Sequence, residues 1–162
     1  GARIAFELAH RLDGRITRLF ASGSAAPGVR PRYGASADTR PSAQLSEADF
    51  KQRLRELGGT PTEILDDDEL MARLLPVVRG DFVLLERYHV DPSTRVSCPI
   101  TVFSGRADLN ASPASAPAWA PRTTSTCRIV EVDAGHFFLD SHRDDLLREI
   151  TRDLARDLAP AA

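Results

Sequence analysis

Two residues of this chain have the type and the setting for acid–base chemistry. His136 stands in the stretch Val132-Asp133-Ala134-Gly135-His136-Phe137-Phe138-Leu139, after an alternating run over 128–132 that reads as a strand and before a long amphipathic helix. It therefore sits on the loop leaving a strand, where open α/β sheets do their chemistry. Its imidazole is the one group of that loop that titrates near neutral pH, Gly135 is expected to let the backbone turn without a Cβ, and Phe137 and Phe138 can clamp the loop to a core. Asp108 closes a second segment of the same kind, Ser104-Gly105-Arg106-Ala107-Asp108, just past an apolar run over 98–103. A histidine alone more often packs or faces solvent than catalyses. A carboxylate on the neighbouring strand end changes that balance, because it can hold one ring nitrogen as a donor and stabilise the imidazolium while the other nitrogen acts as general base.

Such a pair needs a nucleophile. No Gly-x-Ser-x-Gly occurs in the chain, and Ser22, Ser104 and Ser112 lie in contexts without an elbow. The chain opens on glycine, and residues 2–12 are already helical, with Ile4, Leu8 and Leu12 recurring every four positions. A helix without a polar cap leads us to expect missing upstream sequence, so that the absence of a signal peptide carries no weight.

The elements that must position the pair can be taken in chain order. Asp13-Gly14 ends the first helix, and 16–22 reads as a buried strand. Residues 23–43, rich in Ser, Ala, Pro, Gly and Arg, read as a loop or plain linker. Three helical pieces come next. One is capped by Ser46 and stopped by Gly58-Gly59, with Phe50, Leu54 and Leu57 on one face. Another starts at Thr60-Pro61-Thr62-Glu63. The last runs from about 68 to 88, with Leu70, Leu74, Val77 or Val78, Phe82 and Leu85 inward and Pro76 expected to kink or divide it. This helical insertion, about 44–90, is either a cap on the sheet edge or a lid over a pocket; periodicity leaves both open. Residues 111–120 are a poor helix because Pro113 and Pro117 interrupt them. Ser141 is placed to cap a last helix with Leu146, Leu147, Ile150, Leu154 and Leu158 as its apolar stripe.

With 162 residues the chain suits one domain, and the whole of 1–162 reads as a partial α/β domain. A formal charge of -2, from 21 basic and 23 acidic residues, supplies no basic footprint for nucleic acid. No apolar run is long enough for a membrane span. Cys98 and Cys127 lack metal-type spacing and read as buried free thiols of a reducing, cytoplasmic compartment; no metal and no cofactor is expected.

The chain resembles the C-terminal two-thirds of a type II thioesterase, the stand-alone editing α/β-hydrolase of polyketide and nonribosomal peptide synthesis. The likeness is carried by several blocks in order. Gly1-Ala2 with Ile4-Ala5-Phe6-Glu7-Leu8-Ala9 is similar to the residues after the serine in the family's Gly-His-Ser-Met-Gly-Ala elbow. Ser22-Gly23 with Ala26-Pro27, Leu57-Gly58-Gly59-Thr60-Pro61, and Leu75-Pro76-Val77-Val78-Arg79 with Asp81-Phe82 and Glu86-Arg87-Tyr88 resemble its post-strand loop and lid helices. Cys98-Pro99-Ile100 and Gly135-His136-Phe137-Phe138-Leu139 complete it. The resemblance implies that Asp108 is the triad acid and His136 the base, and that the serine and both oxyanion amides precede Gly1. The family's acid segment usually reads Gly-Gly-Asp-x-Asp-Pro; of its two aspartates only the second, Asp108, is present, and the Pro-rich stretch after it departs from the family's usual helix. Trp119 and Thr123 or Thr124 resemble that helix's Trp and Thr. It further implies release of stalled or mis-primed acyl groups from carrier-protein phosphopantetheine arms, by a monomer with no nucleic-acid or membrane partner. Two rival readings are an esterase of the same fold acting on free esters, and a non-catalytic remnant or binding module. An unpaired edge on the first strand leads us to expect that the isolated 162 residues are inactive and poorly folded.

Overall fold

The computed structural model of the chain describes residues 1–30, 32–33 and 38–159. Its regular elements run α1 (Ala2–Arg11), β1 (Leu19–Ser22), α2 (Glu47–Leu57), α3 (Thr62–Leu65), α4 (Asp68–Arg87), β2 (Ile100–Gly105), β3 (Cys127–Val132), α5 (Phe138–Ser141) and α6 (Arg143–Asp157). Two compact units result: Gly1–Val29 with Val90–Ala162, and Arg30–His89.

The first unit is built on a parallel sheet in the order β1-β2-β3. The central strand β2 is buried at all six positions, as its unbroken Ile-Thr-Val-Phe-Ser run requires. It starts at Ile100 rather than at Cys98 because Pro99 has no N–H for the ladder; the Pro99 carbonyl instead accepts from the Leu19 N–H at 2.9 Å. Strand β1 is shorter than its apolar run, covering 19–22 of 16–22. Among the described residues β1 pairs with β2 alone, which leaves its other edge unpaired.

One face of the sheet is covered through Phe6 and Ala9 of α1, which pack with Leu19, Ala21, Ile100, Val102 and Trp119. Phe6 meets Trp119 edge-on, with ring centroids 6.2 Å apart. The apolar trio that marks α1 as a helix points elsewhere: Ile4, Leu8 and Leu12 are exposed, because small Ala2, Ala5 and Ala9 are the residues that let the helix approach the sheet. The other face carries α6, whose Leu146 and Ile150 join Phe103, Val132 and Phe138. The predicted five-residue apolar stripe is narrower than expected. Leu147 and Leu158 are exposed, and Asp153 takes an inward position.

Asp153 is accommodated by an ion-pair network across the sheet. Its Oδ2 accepts from Thr101 Oγ1 of β2 at 2.7 Å and from Arg128 Nη2 of β3 at 2.6 Å. Arg18, just before β1, grips Asp157 with two bonds of 2.6 and 2.7 Å and donates to Thr101 Oγ1 at 3.0 Å. Burial alone pushes Asp153 up, but the bonds from Arg128 and Thr101 outweigh it and hold the carboxyl below the usual range. Polar partners in β2, in β3 and just before β1 thus hold α6 on the sheet.

Residues 113–122 form 3-10 turns rather than an α-helix, as the prolines dictate. They bury Trp119 completely, with its Nε1–H donating to the Ser24 carbonyl at 2.9 Å, while the Thr123 hydroxyl donates to the Cys98 carbonyl at 2.7 Å. Cys98 is buried and Cys127 half-buried; both are free thiols whose pKa is raised by burial.

The second unit holds α2, α3 and α4. Ser46 accepts from the Asp49 N–H at 3.1 Å and Gly58 ends α2 at φ +71°, as the capping pattern indicates. Asp67 caps α4 by accepting from the Leu70 N–H at 2.9 Å. Pro76 does not divide α4, which is continuous over all 20 residues. Its buried face is Met71 and Leu75 with Val78 and Phe82 against Leu45, Phe50, Leu54 and Leu65: Val78 and Phe82 are inward as predicted, whereas Met71 and Leu75 take the places expected of Leu70 and Leu74, which are exposed. The described part of 23–43 is irregular apart from a 3-10 turn beginning at Ser42; Pro31 and 34–37 of that predicted loop lie outside the described residues. Buried Arg53 holds the turn, donating to Ser42 Oγ at 3.0 Å and to the Arg40 carbonyl at 2.8 Å. No helix among the described residues is long and apolar enough to cross a membrane.

Candidate active site

The two sequence-selected residues meet at the C-terminal ends of β2 and β3. These strands are neighbours whose last partners are Gly105 and Val132, so the loops beyond them leave the sheet side by side. The loops are fastened to each other: the Arg106 N–H donates to the Val132 carbonyl at 2.8 Å and the Ala107 N–H to the Ala134 carbonyl at 3.0 Å. This joins residues 28 apart in sequence, and His136 Nδ1 lies 2.8 Å from Asp108 Oδ2.

Both oxygens of the carboxylate are hydrogen-bonded. Oδ2 faces the imidazole, while Oδ1 accepts from the backbone N–H groups of Asn110 at 2.7 Å and Ala111 at 2.9 Å. Burial of Asp108 pushes its pKa up, but the bonds from His136, Ala111 and Asn110 together hold it below the usual carboxylate range. An ionised carboxylate only accepts, so the proton of the bond belongs to His136 Nδ1, and Nε2 is the ring nitrogen that Asp108 leaves unengaged. The Asp108 side chain is 0% exposed and that of His136 is 30% exposed, so the pair is dry at one end and open at the other. Phe137 stands edge-on to the ring at 5.1 Å. Gly23, after β1 at φ +54°, brings the third strand end to the imidazole: a Cβ there would lie 3.4 Å from Cε1.

Gly135 does not have the turning role expected of it. Its φ is not in the left-handed region, and a Cβ on it would meet nothing within 4 Å. The sequence alone does not mark Gly105, Gly23 or the amides of Asn110 and Ala111 as the groups that shape the loop. The Asp-x-Asn order of 108–110 is the one local signal, since Asp side chains bond the backbone two residues on. Among the described residues no group of three His, Cys, Asp or Glu is arranged to hold a metal ion.

Parallel strands with a buried carboxylate and a half-open imidazole at adjacent ends are the arrangement of part of an α/β-hydrolase fold. A family model described as thioesterase domain matches residues 1–154, and the chain belongs to that family. It is 33% identical to a probable cadicidin biosynthesis thioesterase of Streptomyces griseus, over 100% of this chain and 44% of that protein. It is 32% identical to the gramicidin S biosynthesis protein GrsT of Aneurinibacillus migulanus, over 99% of this chain and 62% of that one. Among solved structures, the type II thioesterase YbtT of a yersiniabactin pathway superposes with a TM-score of 0.84 at 28% identity, covering 98% of this chain and 64% of that chain. The chain thus spans less than two thirds of the length of each of these relatives.

Proposed function

We propose that this chain carries the acid–base half of a thioesterase that releases acyl groups from the phosphopantetheine arms of carrier proteins. The observation that carries the reading is the Asp108–His136 bond, with Asp108 sealed from solvent and Nε2 left for a nucleophile. We assign the serine and the oxyanion amides to sequence preceding Gly1, on the likeness of residues 1–9 to the end of a nucleophile elbow. His136 Nε2 takes the serine proton as its oxygen attacks the thioester carbonyl carbon. The C–S bond then breaks, and the imidazolium returns the proton to the departing thiolate. Water, deprotonated by the same nitrogen, attacks the acyl-serine carbonyl carbon; the C–O bond to serine breaks, the imidazolium returns the proton to the serine oxygen, and Asp108 stabilises the imidazolium in both steps. The substrates are stalled or mis-primed short acyl groups, the partner a cytoplasmic acyl or peptidyl carrier protein, and the enzyme a monomer.

The test uses the product of the native gene, whose intact mass above that of 162 residues is the first expectation. That protein hydrolyses acyl-carrier thioester faster than the same acyl group on a free thiol. Equal rates on both would favour a general esterase, and a mass equal to this chain would favour a non-catalytic remnant.

A further inference from the structure

The geometry points to Gly105 as the positioning residue of the Asp108–His136 pair: its missing side chain lets the loop that carries His136 close onto the end of β2. This rests on the acid–base role proposed above for that pair.

Space, not backbone freedom, is what glycine provides here. Gly105 is the last residue of β2 and has no left-handed φ. A Cβ on it would lie 2.5 Å from the Gly135 carbonyl oxygen, 2.6 Å from the Ala134 carbonyl oxygen and 3.1 Å from Phe138 Cδ1. The first two are main-chain atoms and cannot swing aside as the end of a side chain would. They also belong to the two residues that lead directly into His136. The Ala134 carbonyl is further tied by its bond from the Ala107 N–H, so it cannot retreat without opening the clasp between the loops.

Gly105 reaches the other partner as well. Its carbonyl accepts from the Asp108 N–H at 3.0 Å, so one residue supports the acid through its oxygen and admits the base through its bare Cα. A methyl group there must displace 134–135, and with it the imidazole, from a bond of 2.8 Å. Gly135 offers the opposite case, because a Cβ beside His136 in sequence meets no atom. The glycine distant in sequence governs the pair, and the adjacent one does not.

The experiment compares Gly105→Ala and Gly135→Ala in the native gene product. The first readout is the low-field proton resonance of the His136 Nδ1–H, assigned by its disappearance in Asp108→Asn. The second is the split between kcat and KM for acyl-carrier hydrolysis. Gly105→Ala is expected to lose or shift the resonance and to lower kcat on the order of 100-fold, with KM within about twofold of wild type. Gly135→Ala is expected to keep both. A Gly105→Ala protein with the wild-type resonance overturns the inference, as does a folded Gly135→Ala protein without it. If Gly105→Ala does not fold, hydrogen exchange in the wild type decides. The Arg106 and Ala107 amides should be as protected as the β2–β3 ladder, and unprotected exchange there shows that the loops are not clasped and overturns the inference. Absence of hydrolysis in the wild type would sink the thioesterase reading alone, because the resonance and exchange readouts do not depend on it.

Discussion

Asp108 and His136 share one hydrogen bond of 2.8 Å, and the second carboxylate oxygen of Asp108 is occupied by two backbone N–H groups, from Asn110 and Ala111. The carboxylate therefore cannot rotate toward a different partner, and the imidazole is held in one orientation and one tautomer. Asp108→Asn preserves this packing but can present an amide N–H to Nδ1, which favours the wrong tautomer. We expect kcat for thioester hydrolysis to fall roughly 10²–10⁴-fold while the protein stays folded, read by steady-state kinetics beside a melting curve.

Acid should weaken the fold through the same kind of group. Asp108, Asp153 and Asp157 all have pKa values held below the ordinary range, the first two against the opposing effect of burial and the third chiefly by its bonds from Arg18. A depressed folded-state pKa stabilises above the unfolded value and is lost as pH falls through the folded value. Stability should thus be level from neutrality to about pH 4, near the ordinary Asp value, and decline below it. Urea titrations between neutral pH and pH 3 measure this, and a flat profile would contradict it.

The Asp153 node should carry more stability than any exposed pair. Asp153→Ala removes the acceptor of Thr101 and Arg128 and leaves Arg18, whose side chain is 9% exposed, with Asp157 as its remaining carboxylate partner among the described residues. Breaking such a buried arrangement costs about 3 kcal/mol, whereas removing the exposed Arg73–Glu69 pair costs under about 1 kcal/mol. Equilibrium unfolding of Asp153→Ala and Glu69→Ala gives the comparison directly.

Trp119 links three segments, filling the core against Phe6 and donating to the Ser24 carbonyl after β1. Trp119→Phe keeps most of the apolar contact and loses the bond, so it should cost about 1–3 kcal/mol; Trp119→Ala should cost about 3–5 kcal/mol. Both are measured by denaturant midpoints, and a neutral Trp119→Phe would place the strength of this anchor in packing alone.

How the sequence revealed these features depends on the range of the interactions involved. Local signals were legible: the Ser46 cap, the Gly58 stop, the parallel-strand runs and the two strand-end loops all appear at the expected places. The pairing of Asp108 with His136 was legible because each lies just past a strand and the strands are neighbours. Which helix face turns inward was not. The periodicity of Ile4, Leu8 and Leu12 is as helical as that of Ala2, Phe6 and Ala9, and only the contact with Trp119, more than 100 residues away, decides between them. Asp153 was hidden for a similar reason, since a carboxylate on a helix reads as solvent-facing until Thr101 and Arg128 from two strands are seen beside it. The requirement at Gly105 comes from carbonyls of a loop that is distant in sequence, whereas Gly135, conspicuous next to His136, meets no constraint.

The most direct test of the proposed function is hydrolysis of acyl-carrier thioester by the His136→Ala form of the native gene product. Loss of the general base should reduce turnover at least about 10³-fold while leaving the protein folded and carrier binding in place. Turnover at the wild-type rate by a folded His136→Ala protein would contradict the assignment of His136 as base and, with it, the thioesterase mechanism proposed for this chain.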